Sequence, residues 1–169
     1  MQNALNTLKQ EQGCSSEEIT ALLSCTREED GASPLHVASS YGHSDVIRTL
    51  VVSGADLSLR GRKGDYQDKT PYGCCGSGQA REVFEVLFFE QIAVGHAALV
   101  QRLLKGGLSP NTTDRSATLD SALHWAVAFG HADISALLLR TGANVHYCNA
   151  RGESALALAV KHAHVDIVQ

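Results

Sequence analysis

A chain of 169 residues with 44% hydrophobic content has room for one compact domain or one short array of stacked units. Its net charge of −4 sits in residues 1–30, where Lys9 and Arg27 face Glu11, Glu17, Glu18, Glu28, Glu29 and Asp30, so the remainder is neutral and has no basic stripe. That balance excludes generic nucleic-acid binding, which needs phosphate-neutralising charge, and no apolar run approaches the roughly 18 residues that would insert into a membrane.

Residues 1–29 hold two amphipathic stretches, 4–11 and 17–25, the second led by Ser15-Ser16 and an acidic first turn. They predict an N-terminal helical cap or degenerate repeat. The opening MQNALNTLKQEQ has neither a basic start nor an apolar stretch, so no secretory signal is visible. Five cysteines form an odd set without a C-x-x-C pair, which points to reduced thiols and a cytoplasmic or nuclear location. Adjacent Cys74-Cys75 supply only two ligands, fewer than a closed zinc site needs.

Residues 30–58 contain two apolar periodic segments broken by Gly42-His43 and stopped at Gly54. A break that short predicts a pair of packed helices, with Val46, Ile47, Leu50 and Val51 on one face of the second. Residues 59–81 are rich in glycine and basic side chains and read as an insertion loop, since each glycine costs a helix about 1 kcal/mol relative to Ala. Thr70-Pro71 within it marks the remnant of a repeat start whose first helix is lost or displaced. Residues 82–111 resume the helical pattern around Gly95-His96, residues 112–146 repeat it around Gly130-His131, and residues 147–169 begin it again. The last apolar positions lack a following partner, so a longer protein is expected. Each helix pair is apolar on more than one side and needs stacked neighbours to bury itself.

The last two turns are spaced by 35 and 33 residues, and two first helices read Ser33-Pro34-Leu35-His36-Val37-Ala38 and Ser121-Ala122-Leu123-His124-Trp125-Ala126. Period and motif resemble the ankyrin repeat over about residues 30–169. In 82–111 the motif departs, with Leu87-Phe88-Phe89 where Pro-Leu-His would stand. The resemblance implies an all-α, ankyrin-like solenoid of stacked helix-turn-helix repeats, with a degenerate N-terminal cap and a long insertion after the first clear repeat.

Eight histidines invite a metal reading, but their slots answer it. His43, His96, His131 and His164 share the turn position, and His36 and His124 share a first-helix position. Helices about 8–10 Å apart do not bring equivalent slots to one ion, whose nitrogen ligands lie at about 2 Å. In a fold of this kind the ring nitrogens are expected on backbone groups that tight turns leave unpaired. His162-Ala163-His164-Val165-Asp166 reads as H-x-H-x-D, a run some metal-dependent hydrolases use, and it keeps that class as a remote alternative. Gly76-Ser77-Gly78 lacks the spacing of a serine-nucleophile elbow. No catalytic residue, metal or cofactor is expected.

The ankyrin resemblance implies a binding module for a protein partner, monomeric as an isolated domain, rather than an enzyme. By that resemblance, contacts come from first-helix residues just before each turn: Ser40, Tyr41, Val94, Ala128, Phe129, Lys161 and His162. The tips add Asp114, Arg115, Asn149, Arg151 and Glu153. Trp125 and Phe129, one turn apart, are either core or surface anchors. The alternative reading is a regulatory or targeting segment of a larger enzyme, channel or signalling protein.

Overall fold

The computed structural model describes residues 22–162. Among these residues seven complete α-helices follow one another: α1 Pro34–Tyr41, α2 Ser44–Val52, α3 Gly78–Val94, α4 Ala97–Lys105, α5 Ala122–Ala128, α6 Ala132–Arg140 and α7 Ala155–Lys161. Short 3-10 turns lie at Gly64–Tyr66 and Tyr72–Cys74. Extended pairing among the described residues is confined to isolated bridges, Gly61 with Gln67, Thr113 with Ser121 and Cys148 with Ser154. The chain forms two compact units, one of residues up to Phe84 with Lys105–Gly107, the other of Glu85–Leu104 with the residues from Leu108 onward. No helix among the described residues is long and apolar enough to cross a membrane.

In the first unit α1 begins where the Ser33 hydroxyl accepts the His36 amide at 3.4 Å while His36 Nδ1 accepts the Ser33 amide at 3.1 Å. This is a reciprocal capping box with histidine in the acceptor role, and Pro34 behind it loses no hydrogen bond in the first turn. The helix stops at Gly42, whose φ of 76° lies in the left-handed region that glycine adopts without strain. That turn folds α2 back onto α1, and Ile47, Leu50 and Val51 are buried. Each buried aliphatic side chain contributes about 1.5–3 kcal/mol. Most of the predicted N-terminal cap lies outside the described residues; its described end buries Leu23, and the Asp56 amide donates to Ser24 Oγ at 3.0 Å.

Residues 59–81 are not the bare loop that their composition predicts. Thr70 is buried and repeats the role of Ser33: its Oγ1 accepts the Gly73 amide at 3.3 Å and donates to the Gly106 carbonyl at 2.6 Å. The first helix that should follow is reduced to the single 3-10 turn Tyr72–Cys74. Ser77 then accepts the Ala80 amide at 3.2 Å and starts α3 at Gly78, so the last four residues of the expected loop are helical. A side-chain cap followed by Gln79, Ala80, Arg81 and Glu82, all four strong helix formers, outweighs the glycine penalty. Ala80 and Phe84 anchor this end of α3, with Tyr72 edge-on to Phe84 at 5.7 Å.

In the second unit Leu87, Phe88, Phe89 and Ile92 of α3 and Val100 and Leu103 of α4 are buried. Ser121 and Ser154 cap α5 and α7 through the amides of His124 and Ala157. Leu123, Ala126 and Val127 of α5, Ile134 and Leu138 of α6, and Ala155, Leu158 and Ala159 of α7 complete the core. Among the described residues α1–α2, α3–α4 and α5–α6 are thus helix pairs folded across glycine turns, the helix-turn-helix architecture that the period implies.

Candidate partner-binding face

Histidine builds the frame on which exposed residues are displayed. In the second unit His124 Nδ1 meets Ser121 Oγ at 2.7 Å and Nε2 meets the Glu153 carbonyl at 2.9 Å. A carbonyl only accepts, so Nε2 carries the proton and Nδ1 is the acceptor. The imidazole therefore latches the start of α5 to the tip before α7. His36 does the same in the first unit, with Ser33 Oγ at 2.7 Å and the Lys69 carbonyl at 3.0 Å. Burial pushes the His36 pKa below the ordinary histidine value, against the Lys69 hydrogen bond that favours the charged ring.

The turn histidines divide. His131 Nε2 reaches the Ala93 carbonyl at 3.2 Å, the backbone role the sequence predicts. His96 departs from it, with Nδ1 2.8 Å from the Gln91 side-chain oxygen. His43 stacks under Tyr41 at 6.2 Å and 19°, and His131 under Phe129 at 6.4 Å and 13°. Each stack holds an exposed aromatic ring in a fixed orientation, Tyr41 at 73% and Phe129 at 52% exposure. Of the H-x-H-x-D run only His162, exposed at the end of α7, lies within the described residues.

In the second unit Trp125 joins core to surface. Its indole lies 5.3 Å from buried Phe89 and 5.6 Å from exposed Phe129, and Nε1 donates to Asp114 Oδ2 at 2.9 Å. The alternatives of core and surface anchor are thus divided between the two rings: Trp125 is half-buried support, Phe129 the exposed member. Phe89 is the partner the sequence does not announce as such; the signal is that an aromatic stands in the slot that His36 and His124 occupy in their repeats.

Asp114 also closes its own tip. Its Oδ1 accepts from Ser116 N at 3.2 Å, Ser116 Oγ at 2.8 Å and Asp120 N at 3.0 Å. Arg115 pairs with Glu85 at 3.1 Å, and Lys161 with Glu153 at 3.0 Å. The Lys161 hydrogen bond holds the Glu153 carboxyl below the usual carboxylate range. At Asp120 burial pushes the pKa up, but hydrogen bonds from Thr118 and Asn149 outweigh it and leave the group below its ordinary value.

Of the expected contact residues, Tyr41, Val94, Arg115, Ala128, Phe129, Arg151, Lys161 and His162 are exposed, and Ser40, Asp114 and Glu153 are partly so. Asn149 is the exception, fastening its own tip. It is buried, its Oδ1 accepts the amides of Arg151 and Glu153 at 3.0 Å each, and its Nδ2 donates to Asp120 Oδ1 at 2.7 Å. An amide side chain can fill both roles at once, which a tip position in sequence does not reveal.

Capped helix hairpins, histidine-latched tips and a row of exposed residues before each turn define a repeat protein with a display face. The chain belongs to the ankyrin repeat family: a model of three ankyrin repeats matches residues 88–169 and a single ankyrin repeat matches residues 30–62. Among curated relatives, neurogenic locus notch homolog protein 1 of Homo sapiens is 30% identical over 145 residues, 76% of this chain and 6% of the relative, and that of Danio rerio is 28% identical over 146 residues with the same coverage. A potassium channel of Arabidopsis thaliana, AKT2/3, is 38% identical over 76 residues, 45% of this chain and 9% of the channel. The chain thus spans under a tenth of the length of these relatives. Ankyrin repeats in general are protein-interaction modules rather than enzymes.

Proposed function

We propose that this chain recognises a protein partner through the first-helix face and tips of its repeats, with Phe129 as the principal apolar anchor of the second unit. The observation that carries the reading is the aromatic series Phe89, Trp125, Phe129 and His131, which fixes a half-exposed ring on a rigid support. A side chain already ordered loses little entropy on binding, and aromatic anchors dominate interface energetics. Val94, 63% exposed just before the preceding turn of the same unit, adds a second apolar contact. Arg115 and Arg151 supply charge on the adjoining tips. Tyr41 on its own histidine stack serves the first unit in the same way. We infer a cytoplasmic or nuclear setting for this recognition, a reading supported by the exposed thiols Cys25 and Cys148, which such compartments keep reduced.

A Phe129→Asp variant tests the site. Affinity purification with wild type and variant, compared by mass spectrometry, should lose specific proteins from the variant while its melting temperature stays within about 2 °C of wild type. Identical captured sets from two equally stable proteins would remove Phe129 from the interface. The matched relatives carry this stretch as a small part of a much longer chain, which supports the second reading of a regulatory or targeting segment. That reading uses the same face.

A further inference from the structure

Asp114 gives the second unit a coupling that protein recognition alone does not require. One carboxylate serves two structures: Oδ1 gathers the tip through Ser116 and Asp120, and Oδ2 holds the only tryptophan of the chain. Ser116 is exposed, and its Oγ is the hub of the loop, donating to Asp114 Oδ1 at 2.8 Å and lying 2.7 Å from Thr118 Oγ1. Thr118 in turn donates to Asp120 Oδ2 at 2.6 Å. Two carboxylates are therefore held close together by hydroxyl donors, and the one of those hydroxyls that touches Asp114 belongs to an exposed residue.

We propose that Ser116 is a phosphorylation switch point, at which one phosphoryl group disassembles the tip and releases Trp125 from Asp114. A protein kinase would transfer the γ-phosphoryl group of ATP: the bond between that phosphorus and the β,γ-bridging oxygen breaks, a bond from phosphorus to Ser116 Oγ forms, the hydroxyl proton is lost and ADP leaves. The product replaces a donor by a group carrying about 1.5–2 negative charges, placed against the Asp114 carboxylate and near that of Asp120. Repulsion drives Asp114 off the hub, and its bond to the indole goes with it. Arg115, the next residue and now the Glu85 partner, can exchange that carboxylate for the phosphate, a stronger acceptor with bidentate geometry. The loop would settle in a second arrangement rather than simply fray. Phe129 leans on Trp125 as well as on His131, so the anchor loses one of its two ring supports when the indole moves.

The proposal rests on the reading of Phe129 as an anchor for its consequence, but its test needs no partner, so the two can fail separately. As the only tryptophan, Trp125 gives one indole N–H resonance. The full chain with phosphoserine installed at position 116 during translation is compared with unmodified protein, Ser116→Ala and Asp114→Ala. Phosphoserine should move the indole peak toward its position in Asp114→Ala and speed its hydrogen exchange by about tenfold or more, as expected for a local opening. Ser116→Ala, which adds no charge, should leave the peak near its original place. Helical amide peaks should be retained throughout. An unmoved indole peak in the phosphoserine protein overturns the proposal, and so does an unmoved peak in Asp114→Ala, since the coupling would then be absent. Collapse of the whole amide spectrum on phosphorylation also overturns it, because a switch keeps its frame.

Discussion

The two latched tips, 61–69 in the first unit and 149–153 in the second, solve one problem with different materials. Both are tied to a helix start by a buried histidine, His36 to the Lys69 carbonyl and His124 to the Glu153 carbonyl. The first tip is closed largely by backbone: Gly61 N donates to the Lys69 carbonyl at 3.2 Å, and a Cβ on Gly61 would lie 2.3 Å from the Tyr66 carbonyl oxygen. The second is closed by the Asn149 side chain. A tip closed by backbone depends on what is missing at one glycine, whereas a tip closed by an amide depends on what is present. The histidine latch is therefore the common element, and the closure is local.

The largest effect expected from breaking this comparison is at the latch. His36→Ala and His124→Ala each remove a buried ring and the hydrogen bonds of both its nitrogens, at a cost of about 3 kcal/mol. Urea unfolding should show losses of similar size in both variants; a loss at one position only would mean that the latches are not equivalent. Closure comes next. Asn149→Ala should cost about 1–2 kcal/mol by leaving two tip amides unsatisfied, and Gly61→Ala should cost at least as much through a backbone clash. Gly61→Ala with wild-type stability would show that the first tip can open without penalty.

The smallest effect is on pH dependence, and it sharpens the comparison. His36 has its folded pKa held below the ordinary 6.5, so between those two values the unfolded chain binds more protons than the folded one. Its contribution is fully present above pH 6.5 and is lost as pH falls through the folded pKa. Protonating Nδ1 removes the acceptor that serves both Ser33 N–H and the Ser33 hydroxyl, which gives the loss a structural cause. Urea midpoints measured from pH 7.5 to 5 should fall, and His36→Gln should make that fall shallower. Equal slopes would assign the acid sensitivity to other groups.

Much of this frame is legible before any coordinates. Gly42, Gly95 and Gly130 stand at equivalent turns, all with positive φ, and the sequence marks them by the histidine that follows. The serines and His36 and His124 are legible as a motif, though not the carbonyls that their Nε2 atoms reach more than 28 residues further on. The start of α3 is hidden because three nearby glycines argue locally against helix and mask the equally local Ser77 cap, while the burial of Ala80 and Phe84 acts over a longer range. Among site residues, the row before the turns is what the ankyrin resemblance implies. The role of Asn149 is not legible, since a polar residue at a tip looks the same in sequence whether it faces solvent or fastens its own loop.

By itself, then, the amino-acid order determined the repeat, its capping serines and its turns, because these depend on contacts within a few residues and on the conformations that glycine, proline and serine favour. The tertiary structure decided which atoms complete the latches, that Phe129 is displayed while Trp125 supports it, and that Asp114 joins a tip to that aromatic pair. Those outcomes require side chains distant in sequence to meet, and no local preference specifies such a meeting.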